Sequence, residues 1–146
     1  MKAERIGYSK FIKLAPEVNA TLCALDKLVH DSDLDNQLAE LVKIRVSQIN
    51  GCGFCVKYHL VAAQENEVPQ AKVDALSTWK DALVFDEGER VALEWAEHMT
   101  LVAQHRIPDA LNLKLHRHFT EVEIVWLSVV VGTINHWNRL GVALRF

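Results

Sequence analysis

The chain reads as all-α, and three observations lead there. Apolar residues recur at helical spacing in nearly every segment. Helix-start signals punctuate the chain, among them Pro16, Asp86 with Glu89, and Thr120 with Glu123. No stretch alternates convincingly between apolar and polar at a period of two, as a half-buried strand would.

Taken in order, Val18, Leu22, Leu25 and Val29 form one apolar stripe, so a first amphipathic helix begins near Pro16. Asp31-Ser32-Asp33 breaks it and supplies an N-cap for a second helix over Leu34 to Ile49, apolar at Leu38, Leu41, Val42, Val46 and Ile49. Asn50-Gly51 is a turn signal, with Gly51 ending that helix. The next helix runs from the Cys-x-x-Cys through Val56 to Asn66. Pro69 starts a short segment to about Leu76. Asp86 with Glu89 opens a helix lined by Ala92, Trp95, Ala96, Met99 and Val102. Pro108 starts another, through about Leu115. Thr120 with Glu123 opens a last helix, apolar nearly all round from Ile124 to Val131 and therefore expected to be buried. Nothing resembles a linker or a repeat, so residues 1–146 are expected to form a single domain.

The stretch Asn50-Gly-Cys-Gly-Phe-Cys-Val-Lys-Tyr-His59 concentrates the chemistry. A cysteine in the first turn of a helix faces unpaired backbone N–H groups and the positive end of the helix dipole, and both favour thiolate over thiol. Cys55 and His59 stand at i and i+4 and share a helix face. If Asn50-Gly51 folds the two flanking helices into an antiparallel hairpin, Glu40 comes within about one helical turn of His59, too far to touch the sulfur itself. That suggests a relay: Glu40 orients His59 and balances its charge, and His59, directly or through water, deprotonates Cys55. Alone, Glu40 would read as a solvated helix residue and His59 as a packed or surface histidine.

Read from the residues, three roles are open to the Cys-x-x-Cys: a redox-active dithiol, half of a zinc site, or two cysteines that merely pack. Structural zinc takes four ligands, commonly from two such pairs. Here no second pair exists, and His98, His105, His116 and His118 lack finger-like spacing. A thioredoxin would need a βαβ context, and a helix precedes Cys52 instead. The redox reading is the sharpest, and it assigns no metal and no cofactor. His30 and His136 read as surface or packing residues, and Cys23 as a small core residue.

Composition narrows the setting. The formal net charge is −3, which with no basic stripe argues against a nucleic-acid partner. Ile124 to Val131 is far shorter than a bilayer requires, so no membrane partner is expected. Met1-Lys2-Ala3-Glu4-Arg5 leads into polar sequence rather than a signal peptide. The expected location is the cytoplasm, where thiols are kept reduced.

Glu40, eleven intervening residues, Cys52-Gly53-Phe54-Cys55, three more residues and His59 together resemble the core motif of the AhpD-like alkylhydroperoxidases of the carboxymuconolactone decarboxylase superfamily. Ile44 to Gly51, Glu89 to Trp95 and Ile134 to Arg139 are similar to the family's supporting segments, so the likeness spans about Glu17 to Val142. It implies an all-helical subunit assembled into trimers or hexamers. It further implies hydroperoxide reduction through a dithiol/disulfide cycle, fed by a lipoyl or thioredoxin-like electron donor. By position, Cys55 would be the peroxidatic thiol, Cys52 the resolving thiol, and His59 and Glu40 the relay. Cys52, nearer the helix start, should feel the dipole more strongly, so the role of Cys55 leans on His59. Phe54 is a departure, because characterised peroxidases of the family can carry a second histidine there. The alternatives are a non-peroxidatic member using the dithiol for sensing or structure, and a decarboxylase-like proton-transfer enzyme. The contiguous apolar segment Ile124 to Val131, with Trp79 and Trp137 expected to be exposed, also points to a homo-oligomer.

Overall fold

A computed structural model describes residues 5–146, and the described residues form helices with no strand. The opening residues read above against a signal peptide lie, apart from Arg5, outside the described part. The helices are α1 (Tyr8–Leu14), α2 (Pro16–His30), α3 (Asn36–Asn50), α4 (Gly53–Glu65), α5 (Gln70–Ala75), α6 (Glu87–Thr100), α7 (Asp109–His118) and α8 (Glu121–Leu144), with a 3-10 turn at Leu76–Thr78 after α5. None of them is long and apolar enough to cross a membrane. Helix α1 was not expected, because seven residues carry too little periodicity to register.

Side-chain caps set the starts of α3, α4, α6 and α8. Thr120 and Glu123 make the full reciprocal capping box at the start of α8. The Asp86 carboxylate accepts from the Glu89 backbone N–H at the start of α6. Helix α3 corrects the expectation: its cap is Asp35, which accepts from Leu38 N–H at 2.8 Å, not the Asp31-Ser32-Asp33 run. Asp31 instead closes α2, its backbone N–H reaching Lys27 O. Helix α6 ends at Thr100, which leaves Val102 exposed beyond it.

Helix α3 is the centre of the fold, packed against α4, α6 and α8. Its residues face two apolar clusters. Ala39, Val42 and Val46 join Leu127, Val130, Val131 and Ile134 of α8, with Ala92 and Ala96 of α6. Leu41 and Ile44 join Ala63, Val68, Leu76, Trp79, Phe85 and Leu93. With apolar partners on both sides, α3 gives a site at its C-terminal turn a packed support. Trp79, expected to be exposed, is 5% exposed and donates its Nε1–H to Glu97 at 2.8 Å, beside the Arg45–Glu97 ion pair. Ile124 to Val131 is also only partly buried: Leu127, Val130 and Val131 face the core, while Val125 is 61% exposed. Cys23, expected in the core, lies at the surface.

Candidate active site

Helix α3 ends at Gly51, whose backbone sits in the left-handed region at φ 67°, a conformation glycine adopts without steric cost. The Gly51 and Cys52 N–H groups turn back to the carbonyls of Gln48 and Ser47 and close the turn. Cys52 is the N-cap of α4, and its sulfur accepts the Cys55 N–H at 3.2 Å. The two cysteines, with Cα atoms 5.3 Å apart, are joined as a disulfide.

A polar lattice locks this turn to α8. Asn50 Nδ2 donates to Asn135 Oδ1 at 2.9 Å and to Asn138 Oδ1 at 3.0 Å. Asn138, fully buried, donates in turn to Ser47 Oγ. Buried amides remain in a core only when their hydrogen bonds are made, and here four helical positions hold one another. Gly141 lies one turn further along α8. A Cβ at that position would meet Cys52 Sγ at 2.8 Å and Cys55 Sγ at 3.4 Å, so the disulfide rests directly on the α8 backbone. Cys52 is thereby sealed, at 2% exposure.

Behind the disulfide, Glu40 on α3 meets His59 on α4 across the hairpin. The distance from His59 Nδ1 to Glu40 Oε2 is 2.9 Å, and Lys43 Nζ donates to the other carboxylate oxygen at 3.0 Å. Glu40 is buried, not solvated, and all three side chains are at most about one-eighth exposed. Burial pushes the Glu40 carboxyl up. The hydrogen bond from His59 and the Lys43 ammonium outweigh it, so the net pKa falls below the usual glutamate value. A carboxylate on Nδ1 leaves Nε2 as the nitrogen free for proton transfer.

Cys55 and His59 line one wall of a small cavity of about 70 Å³, and Asp26 and Cys23 line the wall made by α2. The rest is aromatic: Tyr8, Phe54, Tyr58, Trp137 and Phe146. Tyr8 and Phe146 each pack on Phe54, with ring centroids 5.3 and 5.5 Å from it. Arg5 holds that corner by donating to the carbonyls of Arg145 and Phe146. Cys52 is not among the lining residues, so Cys55 presents the sulfur that the cavity reaches.

All four residues singled out in the sequence therefore lie together: Glu40 against His59, His59 beside Cys55 on the cavity wall, and Cys52 bonded beneath. Sequence reasoning missed Lys43 as a partner of Glu40, and it missed Asp26, Asn138 and Gly141. One signal was available for Asp26. It sits four residues after Leu22 and three before Val29, so a charge falls on the apolar stripe of α2. Gly141 left no such signal, since its role depends on what α8 packs against.

The family model described as the carboxymuconolactone decarboxylase family matches residues 16–98, which include all four positions. The chain is similar to the uncharacterised protein YdfG of Bacillus subtilis, 32% identical over 142 residues that cover 97% of this chain and 95% of that one. Among solved structures it is similar to a protein of unknown function from Agrobacterium tumefaciens, named there as a candidate antioxidant defence protein AhpD. The TM-score is 0.91 at 33% identity, covering 97% of this chain and 96% of that one. An uncharacterised peroxidase-related protein from a Silicibacter species matches with a TM-score of 0.76 at 27% identity, over 87% of this chain and 68% of that one.

Proposed function

Since the chain belongs to the carboxymuconolactone decarboxylase family, among its AhpD-like members, we propose that it is a thiol-dependent peroxidase reducing organic hydroperoxides through a Cys52–Cys55 dithiol/disulfide cycle. One observation carries the reading: the disulfide presents Cys55 to a cavity that His59, held by a buried Glu40, also lines. In the reduced protein, His59 takes the Cys55 proton and Glu40 balances the charge. The Cys55 thiolate attacks the outer peroxide oxygen. The O–O bond breaks, the alkoxide leaves with the proton returned by His59, and Cys55 becomes a sulfenic acid. The Cys52 thiol then displaces water and closes the disulfide. A lipoyl or thioredoxin-like dithiol supplies two electrons and two protons by attacking Cys55, the reachable sulfur. Access supports this order of roles. The helix start favours Cys52 as a thiolate, but both sulfurs lie under Gly141 and it is Cys55 that lines the cavity.

The test is turnover of cumene hydroperoxide with a dithiol donor, together with thiol titration before and after one equivalent of peroxide. Two thiols should be lost, with mass spectrometry showing two hydrogens missing from the peptide that spans Cys52 and Cys55. Stable sulfinic acid on Cys55 with Cys52 still reduced would rule out the resolving role. No turnover with any donor would leave the dithiol a sensing or structural one.

In this reading residues 1–146 act as one domain in the cytoplasm, assembled as a trimer or hexamer. Support for assembly comes from α4, which exposes Phe54, Tyr58, Leu60 and Val61, with Val125 of α8 also uncovered. Light scattering at micromolar concentration should give a multiple of the 16.5 kDa subunit mass; a monomer would contradict it.

A further inference from the structure

We infer that Asp26 makes the dithiol cavity a charge filter, so that the substrates reaching Cys55 are uncharged hydroperoxides with an apolar or aromatic tail. The inference rests on the peroxidase reading for its substrate class, but the filter itself does not.

The wall composition is the first ground. Five of the nine lining side chains are aromatic, and among the described residues no lysine or arginine lines the cavity. Lys43, whose charge reaches Asp26, is engaged with Glu40, and Arg5 at the Phe146 corner is engaged with two backbone carbonyls. Asp26 therefore supplies the fixed charge of the wall, on the helix facing Cys55 and His59. The second ground is its anchoring. Trp137 Nε1 donates to Asp26 Oδ2 at 3.0 Å, which holds the carboxylate at the cavity. Asp26 is not part of the Glu40–Cys52–Cys55–His59 motif, and the relay makes no use of it.

Burial raises the Asp26 pKa, while the Trp137 hydrogen bond, Lys43 and His59 oppose the rise and Glu40 adds to it. Tyr8 and Tyr58 feel its charge, and Cys23 lines the same cavity. The carboxylate is thus charged above its raised folded pKa, and a like charge in a partly desolvated cleft repels an incoming anion. A neutral aryl or alkyl hydroperoxide meets only rings and can stack on them.

The deciding experiment needs no peroxidase activity. Reduced protein is alkylated with iodoacetamide or iodoacetate, reagents of nearly the same size that differ by one negative charge. The rate at Cys55 is followed on the peptide containing it. Effects on thiol ionisation are common to both reagents and cancel in the ratio. The wild type should favour the neutral reagent by about five- to tenfold more than 2-mercaptoethanol does under the same conditions. Asp26→Asn keeps an oxygen for Trp137 and should remove most of that excess. Raising salt on the wild-type protein should shrink it as well. A ratio that stays put in Asp26→Asn, or one that salt does not move, overturns the filter. If the filter holds, the wild type should also turn over cumene hydroperoxide in preference to its ring-carboxylate analogue, with the preference narrowed in Asp26→Asn. Loss of turnover with both peroxides, the alkylation ratio intact, would instead refute the peroxidase reading alone.

Discussion

His59→Ala is expected to slow the attack of Cys55 on peroxide by about 10²- to 10⁴-fold, the range a positioned acid–base group supplies. It should also raise the pH at which Cys55 alkylates, because the imidazole that shares its helix face and cavity wall is gone. Glu40→Gln should shift the alkylation profile in the same direction by less, since it removes orientation and charge while the base remains. Its larger effect falls on stability. Glu40 is the common anchor of Lys43 and His59, and Lys43 is only 12% exposed. A neutral Gln leaves that ammonium buried without its counter-charge, at a cost of about 3 kcal/mol by the usual behaviour of buried pairs that lose one partner. The double variant Glu40→Gln/Lys43→Met should recover part of the loss, which a thermal or denaturant melt would read. The pH dependence follows from the lowered Glu40 pKa. A carboxyl more acidic in the folded than in the unfolded chain contributes stability that is full above its unfolded pKa. That contribution fades as pH falls through the folded value. Wild type should therefore lose stability on acidification to a greater extent than Glu40→Gln. Equal acid sensitivity of the two proteins would overturn the stabilising role of the Glu40 carboxylate, and an alkylation profile unchanged in both single variants would remove Glu40 and His59 from the thiol chemistry.

Gly141→Ala should destabilise the oxidised protein more than the reduced one. The added methyl would sit 2.8 Å from Cys52 Sγ and 3.4 Å from Cys55 Sγ, the first of which no carbon tolerates without movement. In the disulfide both sulfurs are tethered, so the strain stays in the core, at about 1–3 kcal/mol for overpacking of this kind. In the dithiol the Cys52 side chain can turn away. The difference should shift the dithiol–disulfide equilibrium toward the reduced form by about 5- to 150-fold, measured against a dithiol redox buffer. Gly132→Ala is the control on the same helix. Its Cβ would meet nothing within 4 Å, so the change should raise stability by about 0.5–1 kcal/mol in both redox states through helix propensity alone. Should Gly141→Ala behave like Gly132→Ala in both states, the α8 backbone does not brace the disulfide.

Much of this protein was legible in one dimension. Helical class follows from periodicity, and the capping box at Thr120, the left-handed Gly51 and the Cys52 helix start follow from local backbone chemistry that acts within a few residues. The Glu40–His59 contact was reachable too, because an antiparallel hairpin about a known turn fixes which residues face each other. Where local signals were weak, the reading failed: a seven-residue α1 has no period to detect, and the true cap of α3, Asp35, lies just beyond the Asp31-Ser32-Asp33 run. Exposure was the least accessible property. Cys23 and Trp79 exchanged their expected places because apolarity ranks residues by tendency, while burial depends on which helices cover them. What the sequence by itself determined was thus most of what neighbours along the chain set: the longer helices, the dithiol at a helix start, and the base one turn beyond it. Only the tertiary structure decided which sulfur meets the cavity, that Asp26 lines that cavity from α2, and that Gly141 of α8 lies against the disulfide. Those contacts join residues as far as 111 positions apart, as Asp26 to Trp137 does, and are set by packing geometry that no local pattern encodes.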